Sequence, residues 1–345
     1  MPVADLNILT GENGSGKTSV LEALFLLSNG RSFRTNDTKQ LINFDTQSFL
    51  VRSELLADGV NKSRVAISYD KKSSRVAKIN NQKIFASAEL AKLVPTKFLS
   101  PTVGEMITGS PKSRRKFMDW LMFHVEHEYL NNIKHLKHVV TQRNAILKQN
   151  QNKQELFWRE NLIELSNELY AKSDTHFKNL QPFIDKAISS LLPNIKIDVR
   201  IYPGWNLSKP LDEIINSNFS MEFRVGSCRY GFHRRDLKVT VNGRSVRDVL
   251  SRGQLKLTAI ALQIAQISYL KEIYNRKCVV FIDDLISELD VSNAEKVIDE
   301  LVELGVQCFI TSASNSLIEI TSNNFRDRIR LFHVERGTIM QEESL

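Results

Sequence analysis

Cysteine is scarce in this 345-residue sequence: three residues, Cys228, Cys278 and Cys308, none in a C-x-x-C pair. That spacing excludes a C-x-x-C redox or zinc pair. Cys278 and Cys308 sit in apolar runs and read as reduced core thiols, in keeping with a reducing cytosol. Long apolar runs are missing too. Nothing approaches the roughly eighteen residues of a membrane span. The N-terminus lacks the charged start and apolar core of a signal peptide. A cytoplasmic protein that meets no membrane is the expectation. Repeats and low-complexity tracts are also lacking. With 42% hydrophobic and 25% charged residues, the composition is that of a folded globular protein rather than a disordered one. Acid is the minority charge: Lys and Arg number 47 against 39 Asp and Glu, a net charge of +8. A basic surplus favours polyanionic partners such as nucleic acid. The surplus is concentrated, since residues 52–97 hold ten Lys/Arg and only four Asp/Glu.

What is present is an ordered succession of textures. Residues 3–10 form a short apolar stretch that runs into a glycine-rich turn, and 19–28 read as a buried helix stopped by Gly30. Residues 48–56, 63–70 and 75–84 are short, β-branched and separated by turn residues, which predicts an antiparallel meander. From Pro111 the chain turns polar and helical in period over 112–192, with Leu121, Val125, Tyr129, Ile133, Leu136, Val140 and Leu147 at three- to four-residue spacing. Further helices are expected at 155–171 and 173–191. Strands are expected at 195–201, 221–227 and 237–241, with Asn242-Gly243 as a hairpin turn. Helix 253–273, strand 278–282, helix 291–304 and strand 306–311 follow, an alternation that indicates a parallel sheet.

The strongest chemical signal is the run Gly11, Glu12, Asn13, Gly14, Ser15, Gly16, Lys17, Thr18, which fits G-x-x-x-x-G-K-[ST] at every fixed position. Glycines let the backbone curl so that its N–H groups face phosphate oxygens, and the following helix start, through Ser19, adds a favourable dipole. Lys17 is expected to neutralise the β- and γ-phosphates of ATP, and the Thr18 hydroxyl to ligate Mg²⁺. The second signal is the apolar run 278–282 ending in Asp283 and Asp284. Ligands bind at the C-terminal edge of such a strand. Asp283 is expected to hold Mg²⁺ through water, and Asp284 to orient or deprotonate the attacking water.

A third signal narrows the class. Leu250, Ser251, Arg252, Gly253 and Gln254 open the helix before that strand and resemble the LSGGQ signature of ABC-type ATPases, with Arg252 replacing one glycine. In those enzymes the motif meets the γ-phosphate held by the other subunit, so ATP joins two heads. Ser287, Glu288, Leu289 and Asp290 resemble their D-loop, which lies on the dimer seam. Thr311-Ser312-Ala313 stands where a switch histidine often follows the next strand, so fast hydrolysis is not expected.

These motifs, with Gly30-Arg31-Ser32-Phe33-Arg34, the 109–120 segment around Arg114 and Arg115, Gln142-Arg143-Asn144 and the 231–237 segment, resemble the RecF family over nearly the whole chain. The resemblance implies an α/β fold: an ABC/SMC-type P-loop ATPase head, a mixed sheet with an antiparallel meander, over 1–105 and 226–345, and an inserted helical domain over 106–225. It implies a weak, DNA-dependent ATPase that uses ATP and Mg²⁺ and dimerises on ATP. It also implies binding to double-stranded DNA and single-strand/duplex junctions, and work with RecR, RecO and RecA. The family's usual further strand, with Arg-Asn near the adenine, has no counterpart ahead of the P-loop strand. Thr102 stands where an acid is usual, so no Q-loop ligand is assigned.

Several features admit two readings. Lys71, Lys72, Arg75 and Lys78 on the meander are either a duplex footprint or guards of an edge strand. Arg114 and Arg115 either grip DNA phosphates or make contacts within the chain. The H-x-x-H pairs His124/His127 and His135/His138 read as a solvated helix surface, without the cysteine or acid that would complete a zinc set. The rival functions are the ATPase subunit of a membrane transporter and an SMC-like chromosome protein. The insertion lacks the sustained heptads of a long coiled coil. A nuclease of the OLD type would need an acidic cluster after Asp284 that is not there.

Overall fold

The computed structural model describes residues 5–35, 37–56, 62–72, 75–100, 102–149, 154–284, 289–313 and 326–342. In chain order the elements are β1 (Leu6–Thr10), α1 (Lys17–Asn29), β2 (Ser48–Leu56), β3 (Lys62–Asp70), β4 (Val76–Ile79), β5 (Gln82–Ile84), α2 (Ser87–Leu93) and β6 (Thr96–Leu99). There follow α3 (Glu105–Thr108), α4 (Pro111–Val125), α5 (Tyr129–Gln149), α6 (Glu155–Leu191), β7 (Asp198–Tyr202), α7 (Leu211–Ser217), α8 (Phe219–Val225), β8 (Asp236–Val241), β9 (Arg244–Ser245), α9 (Val246–Val249) and α10 (Arg252–Tyr274). The last are β10 (Val279–Ile282), α11 (Val291–Glu303), β11 (Gln307–Thr311), β12 (Ile329–Glu335) and β13 (Thr338–Gln341). Two units divide the chain: residues 1–103 with 267–345, and residues 104–266. The insertion expected over 106–225 lies inside the second unit, which runs on to Gln266 and also holds β8, β9 and the start of α10.

The first unit carries a six-stranded sheet of order β13-β12-β1-β11-β10-β6. β1 is buried along its whole length and pairs in parallel with both β11 and β12. A parallel strand covered on both faces must bury nearly every side chain: Leu6, Ile8 and Leu9 supply the apolar ones, and Asn7, buried among them, donates to the Cys308 carbonyl at 3.1 Å. On one side of α1, Phe25 meets Phe33, Phe98 and Phe281 edge-on at 5.5, 5.9 and 6.0 Å. On the other, Leu26 and Leu27 join Val65, Ile67, Ala77 and Ile84 on the inner face of a four-stranded meander, β2-β3-β4-β5. The expected strand 75–84 is two strands. Asn80 and Asn81 take φ of 47° and 66° and make the two-residue turn between them.

The second unit is built on α5 and α6, whose apolar stripes form one core with Trp205, Ile215 and Phe232. Where two helices are expected over 155–191, α6 is a single helix that passes through Pro182. The expected strand 221–227 is the helix α8, closed by Gly226 in the left-handed conformation. The Asn242-Gly243 turn forms as expected, with φ of 50° and 77°. His127, His135 and His138 are exposed, but His124 is buried, with its ring 4.7 Å from Trp120 and 5.0 Å from Phe123. All three cysteines are buried and free, and burial pushes the thiols of Cys228 and Cys278 up to about 11 and about 12.

Charge is built into this unit. Arg143, wholly buried, pairs with Glu155 at 2.8 Å and Glu222 at 2.7 Å, and Asn144 accepts the Cys228 N–H at 2.7 Å. Segments 109–120 and 231–237 form two halves of one clasp. Arg114 holds Asp236 through two bonds of 2.6 and 2.9 Å, and Arg235 holds Asp119. The Tyr129 hydroxyl donates to the same Asp119 at 2.7 Å.

Removing one member of a buried ion network leaves the others unpaired, which costs about 3–5 kcal/mol. Arg143→Ala is therefore expected to lower stability by about that amount in urea denaturation followed by circular dichroism. A loss under about 1 kcal/mol would show that the two glutamates find water or each other's protons instead.

Candidate functional site

β1 ends at Thr10 and the chain curls through Gly11–Gly16 into α1. Gly11, Gly14 and Gly16 take φ of 141°, 81° and 113°, a region that side chains disfavour. A Cβ at Gly11 would collide with the Val334 carbonyl, whereas none of the surrounding atoms comes within 4 Å of one at Gly14. Lys17 folds back over the loop and donates to the carbonyls of Gly11 at 2.6 Å and Glu12 at 2.8 Å. Two observations fit this loop to phosphate. The first turn of α1 has no side-chain cap, so its N–H groups are offered to a ligand. The Ser15 Oγ is buried and has no hydrogen-bond partner among the described residues.

Asp283 lies at the end of β10, two strands from β1. The Thr18 hydroxyl donates to Asp283 Oδ1 at 3.1 Å, so the two expected Mg²⁺ residues are adjacent. Their hard oxygens suit that ion, which otherwise takes phosphate and water as ligands. Thr311, which in sequence marks only the absence of a histidine, stands beside them. Thr311, at the end of β11, donates to Asp283 Oδ1 at 2.7 Å and accepts the Asp284 N–H at 3.0 Å. One hydroxyl therefore holds the Asp283 carboxylate and the Asp284 backbone. Asp284 is half-buried and takes φ of 52°, a conformation that costs a non-glycine residue about 1–3 kcal/mol. The only signal for Thr311 is its place at the end of an apolar strand beside the one bearing Asp283.

The signature residues open α10 and face solvent, with Ser251, Arg252 and Gly253 exposed and Gln254 half-buried. Gln254 N–H donates to Ser251 Oγ at 3.3 Å, and Ser251 N–H donates to Gln254 Oε1 at 2.9 Å. This reciprocal cap leaves the serine hydroxyl able to donate elsewhere. A Cβ at Gly253 would meet nothing within 4 Å, so its backbone is open to approach. Asp290 caps α11 by accepting from the Asn293 N–H at 2.9 Å, and that bond holds its carboxyl below the usual range. Ser287 and Glu288 of the expected D-loop, and Pro101 beside Thr102, lie outside the described residues.

The six candidate DNA-contacting residues separate into two groups. Arg114 is buried on Asp236 and on the carbonyls of Ile107 and Gly109, so its role is the internal one. Arg75 likewise donates to Gly30 O and to Ser87 Oγ. Arg115 is half-buried, reaches Arg235 O at 3.3 Å, and burial lowers its pKa. Lys71, Lys72 and Lys78 are exposed. Strand register brings further cations alongside them. Arg52, Ala66, Lys78 and Lys83 are successive cross-strand neighbours over all four strands of the meander. On that outward face Arg52, Lys78 and Lys83 are exposed, with Lys62 and Arg64 on the same side of β3. Lysines directly opposite one another, as at 78 and 83, repel, and a polyanion relieves the repulsion.

Among the described residues, no helix is long and apolar enough to cross a membrane. The family model described as the RecF/RecN/SMC N-terminal domain matches residues 2–339. A curated relative from Vibrio campbellii, described as DNA replication and repair protein RecF, is 35% identical over 97% of this chain and 94% of its own length. A solved structure described as the recombination mediator protein RecF-ATP in the RecFOR pathway matches with a TM-score of 0.82 at 24% identity, over 99% of this chain and 92% of that one. An SMC head bound to the C-terminal winged-helix domain of ScpA shares the fold, with a TM-score of 0.61 at 13% identity over 99% and 90%.

Thr311→Ala removes the hydroxyl that holds the Asp283 carboxylate and the Asp284 backbone. Steady-state hydrolysis at saturating Mg-ATP is expected to fall about tenfold while ATP affinity stays within about twofold. Thr311→Ser, which keeps the hydroxyl, is expected to restore turnover. Equal turnover in the alanine variant and the parent would remove Thr311 from the machinery.

Proposed function

The chain belongs to the RecF/RecN/SMC N-terminal family and, within it, to the RecF proteins of DNA replication and repair; from that premise we propose that it is a recombination mediator working as an ATP-gated clamp on DNA. Its head belongs to the P-loop ATPases. Lys17 and the N–H groups of the loop hold the triphosphate of ATP. Thr18 and Asp283 would hold Mg²⁺, which when bound would draw charge off the phosphates. Asp284 orients the attacking water. Hydrolysis is slow and resets the protein.

The clamp is a homodimer. Ser251 and Gly253 of one protomer meet the γ-phosphate bound by the other, with Arg252 and Gln254 flanking, and Asp290 lies near the same seam. The observation that carries this reading is the exposed, pre-capped start of α10, which offers a hydroxyl and an open glycine to solvent. The closed dimer lies on duplex DNA at single-strand gaps and helps load RecA together with RecO and RecR. The row Arg52, Lys78 and Lys83 supports the contact with DNA, and Lys71, Lys72 and the half-buried Arg115 add to it. Strand pairing lines these cations up across the sheet, and Lys and Arg side chains in such a row can bond phosphate oxygens.

Two experiments test the proposal. Fluorescence anisotropy with no nucleotide, ADP or a non-hydrolysable ATP analogue, on a gapped duplex and a single strand over a salt series, is expected to show tight, salt-sensitive binding of the gapped duplex with the analogue only. Lys17→Arg is expected to lose both ATP-dependent dimerisation and that binding. Nucleotide-independent binding would sink the clamp and favour a transporter-type or SMC-type role. The double variant Lys78→Glu, Lys83→Glu is expected to weaken duplex binding at least about tenfold and to reduce the salt slope by about two. An unchanged slope would move the footprint off the meander.

A further inference from the structure

The P-loop is braced from outside by the end of the chain. β12 pairs with β1 up to Thr10↔His333, and the next residues turn tightly into β13. Glu335 and Thr338 close a two-residue turn whose central residues, Arg336 and Gly337, take φ of 48° and 79°. Such a turn requires both central residues in the left-handed region, and arginine enters that region only where the surroundings hold it. The surroundings here are the P-loop. The Gly337 N–H donates to the Ser15 carbonyl at 2.8 Å. The Val334 carbonyl lies against Gly11, and a Cβ on Gly16 would meet the Gly337 Cα at 3.4 Å. Three of the loop's residues are thus held by residues 334–337.

The chemistry of a trans peptide gives this brace a consequence for the ligand. In the Ser15–Gly16 peptide the C=O and the N–H point in opposite directions. With its C=O fixed on Gly337, its N–H must face the other way, into the curve of the loop. We infer that the β12–β13 turn is a positioning element for the phosphate cradle: by holding the Ser15 carbonyl outward, Gly337 turns the Gly16 N–H toward the phosphates. This rests on the nucleotide-binding reading and adds to it a residue more than three hundred positions from the P-loop.

Gly337 provides its own control. Beyond its chain neighbours, no atom lies within 4 Å of a Cβ built there, so the Cβ itself is accommodated and the positive φ is the principal strain. Asparagine tolerates a positive φ and valine does not. Gly337→Val is expected to raise the Kd for a fluorescent ATP analogue, and the KM of hydrolysis, by about tenfold with kcat at saturation retained. Gly337→Asn is expected to stay within about twofold of the parent. Backbone hydrogen exchange on the unsubstituted protein gives a readout that does not depend on how well the valine variant folds. The Gly337 amide is expected to exchange several-fold more slowly with saturating ATP than without it. A valine variant that binds like the parent, or a Gly337 amide indifferent to ATP, overturns the brace while leaving the nucleotide site intact. A parent that fails to bind ATP where Lys17→Ala also fails overturns the nucleotide reading itself.

Discussion

The hydrogen bond from Thr18 to Asp283 exists because three parallel strands lie side by side. β1, β11 and β10 are neighbours in the sheet, and each delivers its C-terminal end to the same edge. From β1 comes the phosphate loop, from β11 Thr311, and from β10 the two acids. No one of these segments makes a site alone. The sheet register sets the separation of Thr18, Thr311 and Asp283 at hydrogen-bond distance, and burial of β1 on both faces fixes that register. The aromatic cluster around Phe25 then ties α1 to the same sheet, so the loop is held at both of its ends.

The basic character of the sequence has two physical meanings. Much of the charge is structural. Arg143 neutralises two buried glutamates, Arg114 and Arg235 form a clasp with Asp236 and Asp119, and Arg75 fastens β4 to the end of α1. An arginine in these places supplies a planar fork of donors that a lysine could not. The remaining charge is on the surface, and its arrangement follows from strand pairing. Alternation along the strands puts Val65, Ile67, Ala77 and Ile84 against α1 and Arg52, Lys78 and Lys83 outward, beside the exposed Leu50 and Leu56, so four strands suffice to produce a cationic row.

The sequence made plain those parts of the site that depend on local spacing. Gly11 to Thr18 is a local motif, and the apolar run before Asp283 needs no distant partner to be recognised. The same holds for α1, α10 and α11. The role of Thr311 is not legible in sequence, because it comes from cross-strand neighbours and a threonine ending a strand has no mark of its own. Arg114 and Arg75 look in sequence like Lys78, since nothing local distinguishes a buried guanidinium from an exposed ammonium. Phe223 and Val225 suggested a strand, but the buried Glu222 and the left-handed Gly226 make that segment a helix. Asn80-Asn81 makes a turn that no glycine marks in the sequence. β12 and β13, and with them the brace on the P-loop, show only once strand pairing is known.

The order of the strands also bears on how the protein is made. Both neighbours of β1 come from the last part of the chain: Asn7 bonds to Cys308, 301 residues away, and Thr10 to Phe332, 322 residues away. At about 5–20 residues per second, a ribosome needs roughly 15–60 s to supply those partners after β1 has emerged. For that time the first strand and its loop have no sheet to join. Residues 104–266 hold a core of their own and have all emerged before β11 is synthesised. Vectorial synthesis therefore favours assembly of the helical unit first and of the nucleotide site last, so that a truncated nascent chain cannot present a finished phosphate loop.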